Sequence, residues 1–153
     1  MKPEFYTTIK GIILEAANIY SVGMWTNKMI DSVDQIRRFP IVLIEFTELA
    51  YNTMLNNTQE CTNPVINVHV LSDTIDLEAK SVFKASQNIF IAMQREGFKR
   101  IRERSNYRGD ELVEWIITFD CPRFTDEDAR IVKTVIPAPE LELDNEYISQ
   151  IPN

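Results

Sequence analysis

The sequence predicts an α+β fold: a mainly antiparallel sheet of about five strands packed with two helices, plus an extended C-terminal arm. Three observations carry this expectation. Apolar residues recur at helical spacing in two stretches, and five other segments carry strand patterns. The helices are segregated from runs of strands, so no strand–helix alternation builds a parallel sheet. After Asp126 the composition changes to acidic and proline-containing. At 153 residues, 44% of them hydrophobic, the chain has material for one core. That core is expected in a domain over 1–125, with 126–153 as the arm.

The first helix is marked by Phe5, Ile9, Ile12, Ile13, Ala16, Ala17 and Tyr20, which fall on one helical face. Pro3 suits its first turn, and Gly23 lies past its end. Val22-Gly23-Met24-Trp25 reads as a short strand, and polar Asn27 to Arg38 as a loop. Phe39 to Phe46 is apolar on both alternating faces, the pattern of a central strand, with Pro40 confined to its start. Thr47 to Asn63 is a long connection. In Pro64 to Leu71, Ile66, Val68 and Val70 share one face, Asn67 and His69 the other.

A second helix is expected after a cap at Asp73 or Thr74. Its stripe is Ala79, Val82, Phe83, Ser86, Ile89, Phe90 and Met93, and Gly97 takes the left-handed C-terminal position. Two strands come next, Phe98 to Ser105 and Leu112 to Cys121, with a turn at Arg108-Gly109-Asp110. On the second, Val113, Trp115, Ile117 and Phe119 face one way, and Leu112, Glu114, Ile116 and Thr118 the other.

The net charge is −7, and Asp126 to Asn153 alone holds seven acids and two bases. A partner bound through a broadly basic surface, as nucleic acid requires, is disfavoured. No apolar run is long enough for a membrane helix, and Met1-Lys2-Pro3-Glu4 lacks the character of a signal peptide. A cytoplasm-like compartment is expected, with Cys61 and Cys121 reduced.

Few residues suggest chemistry. Cys61, His69 and Cys121 are too few for a structural zinc site, and four scattered glycines make no phosphate loop. His69 as a general base would need a nucleophile and an orienting acid. No such motif flanks it, and a hydrogen-bonded strand residue is the plainer reading. The acids of Asp110-Glu111 and of Asp126, Glu127 and Asp128 read as solvated clusters. No enzyme and no cofactor is expected. One feature stands out: strict alternation through Lys99 to Arg104 puts Arg100, Arg102 and Arg104 on one face, about 6–7 Å apart. Such a row needs negative charge opposite it: acids of the chain itself, acids of a neighbouring subunit, or DNA in a channel.

Taken together, several elements resemble the tail terminator and tail-completion (neck ring) proteins of tailed bacteriophages. They are the leading helix, the strand Phe39-Pro40-Ile41-Val42-Leu43-Ile44-Glu45-Phe46, the Asn67-Val68-His69-Val70 strand, and the late hairpin from Arg100 and Glu103 to Asp110-Glu111-Leu112-Val113. The resemblance spans roughly residues 4–125. It implies a structural subunit of a ring in the phage neck or tail, which joins the head connector to the tail or terminates the tail tube. The implied partners are further copies in a closed ring, six-fold or twelve-fold, and the portal, connector and tail proteins of the virion. DNA would pass through without sequence recognition, and assembly would occur in the host bacterial cytoplasm. A small hydrolase using His69 and a peptide-binding adaptor are the competing classes. The acidic arm departs from the family pattern.

A closed ring needs two complementary patches per subunit. Candidates are Arg100, Arg102 and Arg104 on one side, and Leu141 and Leu143 of the arm on the other. In Glu140-Leu141-Glu142-Leu143-Asp144, acids and leucines alternate, so an extended chain has one acidic and one apolar face. Such a strand is not stable alone and is expected to add to a sheet edge or lie in a groove of an adjacent subunit.

Overall fold

The computed structural model describes residues 3–16, 19–26, 38–55, 58–108 and 112–126. Helix α1 spans Pro3–Glu15, and strand β1 spans Ser21–Met24. Strand β2 covers Ile41–Glu48, β3 Tyr51–Thr53, β4 Gln59–Cys61 and β5 Val65–Ser72. Helix α2 runs from Val82 to Arg95. Strands β6 (Lys99–Arg108), β7 (Leu112–Asp120) and β8 (Phe124–Asp126) complete the order. The arm residues Leu141 and Leu143, most of the loop expected from Asn27 to Arg38, and the turn residues Gly109, Asp110 and Glu111 lie outside the described residues. Among the described residues no helix is long and apolar enough to cross a membrane.

Five strands form one sheet in the order β1-β2-β5-β7-β6. Only β1–β2 is parallel; the β2–β5, β5–β7 and β7–β6 pairs are antiparallel. The fold is therefore α+β with a mainly antiparallel mixed sheet. A second, small sheet joins β3, β4 and β8. In sequence this region reads as a connection, because three-residue strands are too short to show a period of two. The pairing of β8 with β4 carries ordered structure to Asp126.

The helices pack on one face of the large sheet. Ile9 and Ile13 of α1, with Val82, Ala85, Ile89 and Met93 of α2, meet Val42, Ile44, Ile66, Val68, Val70, Ile117 and Phe119 in one core. Full burial of each such aliphatic side chain contributes about 1.5–3 kcal/mol. Phe5 and Tyr6 close the α1 side against Phe46, with ring centroids 6.0 and 6.4 Å apart. Gly97 ends α2 at φ +86°, the left-handed conformation expected of it.

Two expectations need correction. The cap of α2 is Ser81, whose Oγ accepts the amide of Lys84, and not Asp73 or Thr74. The intervening residues are held as a loop: Ser72 Oγ donates to the Lys80 carbonyl, and the Glu78 amide donates to Asp76 Oδ1. Ala79 thus lies before the helix. The three arginines do not share a face either. The β6–β7 register shifts between Arg100 and Arg102, so that Arg100 pairs with Phe119 and Arg102 with Thr118. One extra residue in a strand transfers all later side chains to the opposite face. Arg100 lies on the helix side, its guanidinium 3.8 Å from the Phe90 ring centroid and 3.0 Å from Glu103. Arg102 and Arg104 lie on the other side.

Candidate functional site

On the face away from the helices, the sheet places polar residues where an apolar layer would be ordinary. His69 sits mid-strand in β5, paired with Leu43 of β2 and Ile116 of β7. Glu45 and Glu114 lie diagonally to it on these two strands, Glu45 opposite Asn67 and Glu114 opposite Leu71. Both ring nitrogens are engaged: Nδ1 is 2.7 Å from Glu114 Oε1, and Nε2 is 2.8 Å from Glu45 Oε2. The Trp25 ring, immediately after β1, stacks on the imidazole with centroids 3.7 Å apart and planes 20° apart. His69 is 2% exposed and Glu114 1%.

The network extends in both directions. Asn67 Nδ2 donates to Glu45 Oε2 at 2.9 Å, and Thr118 Oγ1 donates to Asn67 Oδ1 at 2.7 Å. The second oxygen of Glu114 accepts from Arg108 Nε at 2.9 Å and Asn106 Nδ2 at 3.1 Å. Arg108 also lies 5.9 Å from the Trp25 ring centroid. Strands β2, β5, β7 and β6 are all tied by side chains as well as by their ladders. An apolar patch of Ile41, Leu43, Leu71 and Leu112, with Trp25 and Phe39 against it, flanks the polar groups.

Burial by itself would raise the carboxyl pKa of Glu114. The hydrogen bonds from His69 and Arg108, with the positive charge of Arg108, outweigh it and hold the group below its usual range. Glu45 shows the same pattern: burial opposes ionisation, but Asn67, His69 and the nearby Arg104 leave its pKa lowered. With both glutamates ionised, both short contacts of His69 are hydrogen bonds only when each ring nitrogen bears a proton.

This geometry shapes what the site can do. A general base needs a free lone pair directed at a substrate proton. Each nitrogen of His69 instead faces a carboxylate of its own sheet, and Trp25 covers the ring. Among the described residues, no group of three or more His, Cys, Asp or Glu side chains converges as a metal site. Cys61 and Cys121 are free and buried, and the Cys121 thiol is pushed up to about 12 by burial, with Asp120 and Cys61 adding to the effect. The arrangement is suited to holding strands in register with matched charge.

The second surface of note lies on the helix side, at the β6 edge. An open cavity of about 630 Å³ is bounded by Leu77, Phe83, Lys84, Ser86, Arg100 and Trp115 among others. Phe83 meets Trp115 edge to face at 5.2 Å. Ser86 is buried, and its Oγ has no hydrogen-bond partner among the described residues. The flanking β6 is exposed over nearly its whole length.

Of the residues singled out in the sequence, Arg100 is satisfied within its own strand by Glu103. Arg102 and Arg104 have no acid within ion-pair distance among the described residues. Sequence reasoning misses Glu45 and Glu114 as partners of His69. The signal for them is faint: one acid on the same face of each strand beside β5, each two residues away from the position opposite His69.

Compared with models of known protein families the chain matches none, and no curated protein sequence matches it.

Proposed function

We propose that this chain is a structural ring subunit of a tailed-bacteriophage neck or tail, of the tail terminator and tail-completion type, and that it carries out no catalysis. The observation that supports this reading best is β6. Among the described residues it is an outer strand of ten residues, exposed along its length, at the end of the five-stranded sheet. A long open edge is a hazard for a free monomer and a natural joint for an assembly. Arg102 and Arg104 give that edge a positive sign on one face. The opposite edge, β1, is only four residues long, so the two sides of the sheet differ, as a head-to-tail ring requires.

The hydrolase reading is weaker on the same geometry, since His69 is occupied on both nitrogens and shielded from solvent. In the proposed setting the buried network is scaffold and the edge is the working surface. The ring would be six-fold or twelve-fold and would meet the connector and tail proteins, with DNA passing through unread.

The test is the particle itself. Purified virions should contain this chain in six or twelve copies, and a reconstruction should show it as a closed tier between portal and tail. Its absence from purified particles would refute the reading.

A further inference from the structure

Edge β6 and the groove beside it have a shape and charge that suit one segment of this same chain. We propose that Glu140–Asp144 of a neighbouring copy adds as a strand to the outer edge of β6. Its leucines would lie over the groove of Leu77, Phe83 and Trp115, and its acids against Arg102 and Arg104. The proposal rests on the ring reading for the neighbour, and it names the joint.

The alternation decides the fit. Arg102 and Arg104 lie on the face away from the helices, opposite Thr118 and Ile116 of β7. Glu103 and Ser105 between and beyond them lie on the helix face, opposite Ile117 and Trp115. A strand laid along this edge with acids beside both arginines must place its leucines beside Glu103 and Ser105. Ser105 is small, so a leucine there reaches toward the Trp115 ring and the groove. Leu77 is 86% exposed and Phe83 40%, an apolar surface next to β6, which pairs on one side only among the described residues. This is the pattern of strand addition, in which the main chain supplies hydrogen bonds and alternate side chains supply selectivity.

Reach is sufficient. The chain advances fourteen residues from Asp126, the end of β8, to Glu140, which extended cover about 46–50 Å. The radius of gyration expected for 153 residues is about 15 Å, so an arm of that length spans to an adjacent copy.

Hydrogen exchange of the full chain tests this. Those β6 amides that do not bond β7 should be protected at high protein concentration. The protection should fall with dilution on the order of a hundredfold, because the arm comes from another copy. Leu141→Ser with Leu143→Ser should speed their exchange about tenfold or more at high concentration. Reversing Glu140, Glu142 and Asp144 to Lys should do the same, and adding Arg102→Glu with Arg104→Glu should restore protection. Exchange in β6 that is identical in the parent and in both arm variants would overturn the proposal. So would protection independent of concentration, which would mean that each arm folds onto its own β6. Absence from the virion would refute the ring reading and leave this result standing.

Discussion

Glu114→Ala should destabilise the fold by about 3–5 kcal/mol, the cost of leaving several donors around one buried acceptor unsatisfied. The structure sets this magnitude. Glu114 is 1% exposed and accepts from His69, Arg108 and Asn106. Alanine removes the acceptor for all three at once and leaves His69 Nδ1 facing a void that no other described acid fills. For a chain of this size, each 1 kcal/mol lowers the melting temperature by about 2–4 °C, so a fall of about 6–20 °C is expected. Urea unfolding monitored by far-ultraviolet circular dichroism measures it, with the midpoint falling and the slope unchanged. Glu103→Ala is the matched control, since the exposed pair with Arg100 contributes about 0–1 kcal/mol. A Glu114→Ala loss within about 1 kcal/mol of the control would show that the network does not hold the sheet, and the reasoning would fail.

Acid should unfold the protein through the same residues. Glu45 and Glu114 have folded pKa values below the ordinary 4.5, so their contribution is complete above that value and is lost as pH falls through the folded values. Stability measured from pH 6 downward should hold until about pH 4.5 and then decline, and Glu114→Ala should flatten that decline; an unchanged slope in the variant would contradict the assignment. Cys121, with its thiol at about 12 and its side chain buried, should resist alkylation at neutral pH in the native state and react fully in denaturant. Rapid native labelling of Cys121 by mass spectrometry would contradict its place in the core.

Much of this fold is legible because two-sided burial leaves a simple mark. Val68 and Val70 against His69, or Ile117 and Phe119 against Glu114 and Thr118, announce strand faces directly. Gly97 announces the end of α2 for an equally local reason. The start of that helix is not legible, because Asp73, Thr74 and Ser81 all have capping side chains, and only the bonds of Ser72 and Asp76 settle which one is used. The arginine row fails through a single inserted residue, which no composition or period reveals. The His69 network is hidden by distance: Glu45 lies twenty-four residues before it and Glu114 forty-five after. What joins them is the strand order β2-β5-β7, and a strand order is a property of the packed sheet.

The two tryptophans give this molecule a pair of internal lamps, one on each side of the sheet. Trp25 lies flat on the imidazole of His69, so its emission reports whether the polar layer keeps its packing. Trp115 stands at the groove edge against Phe83, where the filling or emptying of the cavity changes its contact with water. Replacing either one by phenylalanine leaves a single emitter. The unlocking of the sheet and the seating of a neighbour can then be watched separately, in the unlabelled chain, by the colour and brightness of its own light.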